Sequence, residues 1–388
     1  MAEHFDIAVV GAGTAGAALA AALDGSGYRI ALIDPGTPAI APSGKIDGRV
    51  LALSAGAHEL LQACRAWPAL NHERVQPYAH MRVWDSENDA HIAFDAQAFG
   101  RAQLGWIVEE THLVAALHAV VAECTEVRPY WQRRIAHLAA HERPLRVRLD
   151  DGTRLTADLV VGADGAQSAV RERAGIDVTR HDYHASAIVC RVEVAGDHTD
   201  TAWQRFLPSG PLAFLPLADQ AFSIVWSTRE PDALLALDDA AFITRLSTAI
   251  GPPLDGIEHV GTRRAFPLAR IQATRQLEGN IVLVGDSAHR IHPLAGQGAN
   301  LGLADVASLS HELKQAAEHK RPASHPAALA RFERSRSAPN LGMALSMDAF
   351  DQFFATDSPA LSALRGAALD TANRAVFLKR LFAETAAG

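Results

Sequence analysis

Gly11, Gly13 and Gly16 stand at a spacing with a chemical meaning. The first glycine allows a tight turn, the second lets backbone amides approach a diphosphate, and the third lets a helix start close against the preceding strand. Residues 5–10 ahead of them form a short apolar run, and residues 17–23 behind them have the alanine and leucine content of a helix, with Ala15 in its first turn. Strand, turn and helix in that order aim the first helical amides at an anion. Residues 29–33 read as a second strand that ends at Asp34 and is closed by Pro35 and Gly36. A carboxylate there can accept from both hydroxyls of a ribose and repels a 2′-phosphate, so NAD or the adenosine half of FAD fits and NADP does not.

Two more glycine turns follow buried-strand patterns. Residues 159–162 lead into Ala163, Asp164 and Gly165, which alone fit an ordinary strand end with a helix N-cap at Ser168 as well as they fit a functional turn. Residues 281–284 lead into Gly285, Asp286, Ser287, Ala288 and His289, and then into a stretch that carries His292, Pro293, Gly296, Gln297, Gly298, Ala299, Asn300, Gly302 and Asp305. Between these turns the chain changes character. Alternating segments at 188–194 and 222–226, broken by Pro208 to Pro211 and by Leu217 to Asp219, predict an antiparallel sheet. Residues 303–317, 327–334 and 363–383 predict helices. The nucleotide-binding lobe is therefore expected to be discontinuous, formed by 1–75, 105–175 and 270–340, with 76–104 and 176–269 as a substrate domain of mixed antiparallel sheet and 341–388 as C-terminal helices.

With 388 residues, a two-lobed protein is the natural expectation. Hydrophobic residues at 48% and charged residues at 21% leave no room for a mainly disordered or fibrous chain. A net charge of -8 gives no general attraction to nucleic acid. Cys64, Cys124 and Cys190 are too far apart for a metal knuckle or a local redox pair, which fits a reducing cytoplasm. The acidic start from Met1 to Asp6 is unlike an export signal, and no segment reaches the roughly 18 uninterrupted apolar residues of a membrane span. His289 and His292 have no ligand partner at standard spacing, and Pro293 interrupts any helix that would align them, so no metal site is expected.

On these residues the chain resembles the ubiquinone-biosynthesis hydroxylases, a branch of the single-component flavin monooxygenases related to p-hydroxybenzoate hydroxylase. His292, Pro293, Gly296 to Gly298, Asn300, Gly302 and Asp305 match that family's signature. The N-terminal dinucleotide motif, Asp164 with Gly165, residues 210–217 and the tail near Phe353, Leu364 and Arg365 extend the likeness over essentially the whole chain. The resemblance implies an α/β fold: a Rossmann-like FAD-binding domain of the glutathione-reductase type, an inserted antiparallel-sheet substrate domain and a helical C-terminus. It also implies bound FAD, with Gly11, Gly13, Ala15 and Gly16 at the pyrophosphate and Asp34 at the adenosine ribose. Arg49 would reach the cofactor from the loop after the second strand, Asp164 and Gly285 would belong to the cofactor-binding set, and Asp286 would bond the ribityl chain. Pro293, Gly296, Gln297, Gly298, Ala299 and Asn300 would pass beside the isoalloxazine ring. A helix beginning near Gly298 would favour negative charge on the reduced ring. Glu110 stands where a related branch places a polar flavin contact, and could equally face solvent. The family often has glutamate where Asp34 stands, so here the shorter side chain must reach farther or the backbone must come closer.

The implied reaction is flavin reduction by NAD(P)H followed by transfer of one oxygen atom from O2 to an activated aromatic ring, so the cofactor carries the chemistry and no side chain is named as catalytic. Such a site excludes water. Phe206, Phe214, Leu215, Pro216 and Trp226 are candidates for its apolar lining, and each also fits ordinary core packing. The implied substrate is a polyprenylated phenol or quinol of ubiquinone biosynthesis, with other proteins of that pathway as partners. Residues 374–382 mix apolar and basic side chains as a membrane or partner surface would, and as a helix packed on its own domain would. Alternatives stay open: an FAD-dependent reductase, a hydroxylase of another aromatic metabolite, or a flavoprotein scaffold without turnover. A disulfide reductase lacks its paired cysteines here, and the WxW pattern of flavin halogenases is absent.

Overall fold

Residues 7–10 of the strand Glu3–Val10 and residues 30–33 of Ile30–Asp34 are continuous apolar runs, the pattern of strands covered on both faces, and in this computed structural model the two strands pair in parallel. Residues 2–86, 91–251, 256–290 and 298–354 are described. Across the sheet the order is Leu277–Glu278, Ile281–Leu283, Arg154–Gly162, Glu3–Val10, Ile30–Asp34 and Val127–Trp131. Segments far apart in sequence thus form one layer. Ile135–Ala139 and Leu145–Leu149 extend it in antiparallel pairing from Arg154–Gly162. This extension falls outside the strands expected from sequence, although Leu145, Val147 and Leu149 are buried while the arginines between them are exposed.

The described α-helices are α1 (Thr14–Ala22), α2 (Ala55–Ala63), α3 (Glu110–Glu123), α4 (Ala169–Arg173), α5 (Pro231–Leu235), α6 (Asp239–Ile250), α7 (Gly298–Glu318) and α8 (Pro326–Phe354). One face of the parallel sheet is covered by α1, α3 and α7, which bury Leu19, Leu117, Val306 and Leu309 with Ile7, Val9 and Leu32. On the other face, Val170 of α4 and Leu145 and Val147 pack on Ala8, Val10 and Ile33. A helix of nine residues is marginal by itself in water. Burial of a leucine such as Leu19 contributes about 1.5–3 kcal/mol, so packing rather than propensity holds α1 in place.

The alternating middle of the chain forms a nine-stranded, mainly antiparallel sheet ordered His289–Arg290, Arg264–Ala273, Val178–Val194, Phe222–Thr228, Gly210–Pro216, Thr201–Leu207, His80–Asp85 and His91–Asp95, with Ile257–Val260 beside Val178–Val194. Val178–Val194 starts ten residues before the 188–194 run visible in sequence, because its first half carries exposed Thr179, Arg180, His181 and Asp182 and a register shift before Ala185. One face is backed by α5 and α6, where Phe242 and Leu246 meet Ile188, Phe222 and Ile224. The opposite face meets the rest of the molecule. Ala202, Leu215 and Leu217 pack there on Ile46, Ala52 and Ile107. Ala52 and Ile107 belong to a small third sheet of Val50–Leu53, Gly105–Glu109 and Gln76–Tyr78.

Helix α7 begins at Gly298, and α8 runs from Pro326 through Pro339 to Phe354, well past the 327–334 stretch. His292, Pro293, Gly296, Gln297, the predicted helix at 363–383 and the basic stretch at 374–382 lie outside the described residues. No helix among the described residues is long and apolar enough to cross a membrane.

Candidate cofactor and active site

Backbone sterics dictate the turn after Glu3–Val10. Gly11 has φ +100°, and a Cβ there would lie 2.3 Å from the carbonyl oxygen of Ala163. A Cβ on Gly16 would lie 1.8 Å from the Gly11 carbonyl oxygen, closer than atoms can approach. Gly13 differs: it is exposed, and a Cβ on it would meet nothing within 4 Å. It is also the N-cap of α1, and no side chain caps that helix. The first-turn amides of Thr14, Ala15 and Gly16, which an α-helix leaves unbonded, thus have no capping side chain, and the space beside Gly13 is open. A diphosphate fits this cradle.

Asp34 closes the turn from below. Its Oδ2 accepts from the Ala12 amide at 2.6 Å and its Oδ1 from the Gly36 amide at 2.7 Å. A carboxylate offers about four lone-pair sites, so Asp34 can brace the glycine loop and still accept from a ribose. His118 is a buried partner that the sequence did not announce. Its Nε2 donates to the Ala12 carbonyl at 2.6 Å, its Nδ1 accepts from the Ala39 amide at 2.8 Å, and its ring lies 4.7 Å from that of Trp131. The bonds on both sides assign the tautomer.

The second glycine turn behaves otherwise. Asp164 accepts from the Ser168 hydroxyl at 2.5 Å and from the amides of Ala169 and Val170 at 2.7 and 3.1 Å, while Ser168 caps Arg171. The carboxylate expected in the cofactor set is engaged as a cap of α4, and the N-cap expected at Ser168 is present. The turn still matters to the glycine loop, since Gly11 packs against Ala163 and the Asp164 Cα. Buried Arg171 links it onward by donating to the carbonyls of Ala166 and Ser287. Burial pushes its guanidinium below the usual arginine value, with Asp164 opposing.

The third turn carries Gly285, at φ +59°, and Asp286. Gly285 is pressed against α7: a Cβ on Gly302 would lie 3.1 Å from the Gly285 Cα, and a Cβ on Gly285 would lie 3.3 Å from that of Ala15. The small residues of the signature thus let α7 and α1 converge on this turn. Asp286 opens to solvent, yet enough protein surrounds it to raise its carboxyl above the ordinary value, against the opposing charges of Arg290, His289 and Arg49. Asn300 has a structural task of its own. Its amide donates to the Ala52 carbonyl and accepts from the Ser54 amide, and so bolts the start of α7 to the small sheet. Gly298 and Ala299 form the first turn of that helix.

Arg49 and Glu110 are brought together as an ion pair. The Arg49 guanidinium also lies 5.4 Å from the ring centroid of Phe266, in the nine-stranded sheet. The neighbouring Gly48 is held against that sheet, where its carbonyl accepts from Ser223 and a Cβ would lie 2.6 Å from the Arg191 amide. Behind this loop, buried Glu109 accepts from Arg74 through both oxygens and from the Asp47 amide at 2.7 Å. The Arg49 loop is therefore clamped from two sides.

Strand alternation sorts the candidates for substrate lining. Phe214 and Trp226 lie in the core against Phe242 of α6, and Pro216 stands opposite Phe222 on that same face. These three point away from the parallel-sheet lobe and are corrected here to core residues: the two-residue period of their strands puts them there, and large rings fill that helix-backed layer. Phe206 is on the other face but at its far edge, packed with Val83 and Ile92. Leu215 does face the lobe. Around it that face is apolar, with Tyr183, Ala187 and Leu268 buried together beside half-exposed Val225. His289 donates to Asp305 at 2.5 Å, so its Nε2 is already committed.

A model of the FAD-binding domain family matches residues 4–339. The 3-demethoxyubiquinol 3-hydroxylase of Escherichia coli is 36% identical over 379 residues, covering 97% of this chain and 96% of that protein. The ubiquinone hydroxylase UbiL of Rhodospirillum rubrum is 34% identical over 385 residues, covering 99% of this chain and 89% of that protein. Among solved structures, p-nitrophenol 4-monooxygenase PnpA from Pseudomonas putida superimposes with a TM-score of 0.80 at 16% identity, over 100% of this chain and 99% of that one, a likeness of fold. Glycine turns shaped for a dinucleotide, a family match over most of the chain and full-length relatives at this identity place the protein in the family of FAD-dependent ubiquinone-biosynthesis hydroxylases.

Proposed function

We propose that this protein is an FAD-dependent monooxygenase that hydroxylates the aromatic ring of a polyprenylated phenol or quinol in ubiquinone biosynthesis, consuming NAD(P)H, a proton and O2 and releasing NAD(P)+ and water. The observation that carries the reading is the uncapped start of α1 behind an open Gly13, flanked by Asp34. Bound FAD would supply hydride acceptance from NAD(P)H and activation of O2. The protein's part is to bind, orient and exclude water. The amides from Gly13 to Gly16 hold the diphosphate, Asp34 the adenosine ribose, and Asp286 the ribityl hydroxyls. Arg49, paired with Glu110 and seated over Phe266, closes the cofactor edge toward the nine-stranded sheet. The lobe-facing surface around Leu215, Val225 and Leu268 offers an apolar wall for a prenylated ring.

On this reading the parallel sheet with α1, α3 and α7 is a Rossmann-like FAD-binding unit of the glutathione-reductase type, built from 1–75, 105–175 and 270–340. The segments 76–104 and 176–269 then form the inserted substrate domain. The test is purification with a visible spectrum, NADH and NADPH oxidation with and without a prenylated phenol, and mass spectrometry of the product. Flavin absorbance, substrate-stimulated oxidation and a product heavier by one oxygen are expected. Bound flavin without oxygen transfer would sink the hydroxylase assignment for that substrate, and failure to bind FAD would sink the cofactor assignment as well.

A further inference from the structure

Asp305 of α7 has no exposed side-chain surface, and it gathers donors from five places in the chain. Its Oδ2 accepts from the Gly285 amide at 3.0 Å, His289 Nε2 at 2.5 Å and Gln276 Nε2 at 3.3 Å. Its Oδ1 accepts from Arg336 Nε at 2.8 Å and Asn340 Nδ2 at 3.3 Å, both from α8. Arg336 Nη2 also donates to Asn340 Oδ1, and Asn340 Nδ2 donates to Gln276 Oε1 at 3.0 Å. Gln276 in turn reaches the Leu283 carbonyl, two residues before the Asp286 turn. A buried carboxylate holds its place only while it is paired, and Arg336 supplies the guanidinium that pairs it.

We propose that Arg336 and Asn340 of α8 are positioning residues for the flavin: acting through Asp305, they hold the Gly285–Asp286 turn where it meets the cofactor, so that α8 sets flavin affinity. The proposal rests on the flavin reading above. Its physical basis is the lack of slack at the turn, where Gly285 lies against Gly302 and Ala15 with no room for a Cβ to be added without contact. A shift of Asp305 is therefore passed to the Gly285 amide and to the carboxylate beside it. Other links between α7 and α8 do not reach the turn. Arg331 pairs with Glu312, and Ser308 with Ser335, at exposed positions.

The test compares Arg336→Gln with Arg331→Gln, which removes an α7–α8 link of the ordinary kind. Apoprotein is titrated with FAD by fluorescence, and its melting temperature is recorded alongside. Arg336→Gln is expected to raise the FAD Kd by at least about tenfold while Arg331→Gln stays within about threefold of wild type. Arg336→Lys, which keeps the charge but loses the fork, should recover part of the affinity. Equal Kd values in the two glutamine variants would overturn the proposal, as would a fall in melting temperature with unchanged affinity. If Arg336→Gln does not fold, Asn340→Ala carries the same comparison. Wild-type protein that binds no FAD would instead overturn the flavin reading, and this inference with it.

Discussion

Glu3–Val10 and Arg154–Gly162 lie side by side in parallel, with Val10 opposite Gly162, and each runs into a glycine-bearing turn and then a helix. In sequence the two look alike. In the structure they treat their helix amides in opposite ways. The turn before α4 is filled by its own side chains, since Asp164 and Ser168 take up the free amides of Ala169, Val170 and Arg171. The turn before α1 has no capping side chain, and its acidic neighbour Asp34 braces the loop at Ala12 and Gly36 instead of entering the cradle. A glycine turn between strand and helix leaves its amides available to an anion only where the chain withholds its own anion from them. The α4 turn serves as the wall against which the α1 turn is shaped.

The sharpest way to break this comparison is to make one turn into the other. Gly13→Asp would give α1 the cap that Asp164 gives α4, and Gly13, at φ −68° with open space around it, accepts the new side chain. Self-capping and charge repulsion together should weaken FAD binding by at least about 100-fold, near 2.7 kcal/mol. The apoprotein should melt no lower, because aspartate and glycine differ at an N-cap by only about a few tenths of a kcal/mol. Flavin titration paired with a melting curve reads both numbers, and unchanged affinity would mean the diphosphate lies elsewhere.

A smaller effect is expected at Asp286. Its carboxyl is raised by the surrounding protein, so the folded chain holds that proton more tightly than the unfolded chain does. The associated stability is present in acid and is lost as pH rises from the ordinary carboxylate range through the raised value. Asp286→Asn should flatten the melting-temperature profile over that window and leave the neutral apoprotein at least as stable as wild type. The same change should reduce FAD affinity by about tenfold through a lost charged hydrogen bond. A variant profile that still tracks the wild type across the window would show that another group titrates there.

The smallest effect on the cofactor is expected from Asp164→Ala. Loss of the cap should cost about 0.5–2 kcal/mol and lower the melting temperature by a few degrees. FAD affinity should stay within about threefold, since the carboxylate faces its own helix. A loss of affinity comparable to that of Gly13→Asp would contradict the contrast drawn between the two turns.

Much of the site is legible before folding because local rules govern it. Gly11, Gly13 and Gly16 ahead of Asp34 announce a tight turn between strand and helix through spacing alone, and the contacts a Cβ would make at Gly11 and Gly16 show why no other residue serves there. Roles that depend on a partner far along the chain are not legible. His118 is one more residue of a helix until its bonds to Ala12 and Ala39 appear, and nothing in the signature around Asn300 announces that its amide bridges Ala52 and Ser54. Asp164 is ambiguous for the same reason, because its assignment depends on whether the amides it faces belong to α4 or are open to a ligand.

The sequence by itself determined where the chain must turn, where backbone must approach backbone without a side chain between, and which runs must be covered on both faces. Steric exclusion and apolar periodicity act over a few residues, and they survive without knowledge of the fold. Tertiary structure alone decided which face of the nine-stranded sheet looks toward the parallel-sheet lobe, so that Phe214, Pro216 and Trp226 became core while Leu215 faced that lobe. It also decided that Asp305, Arg336 and Asn340 meet beneath the Gly285 turn. A strand's alternation defines two faces but does not say which one another layer will cover, and a buried carboxylate finds its donors only when segments distant in sequence are packed around it.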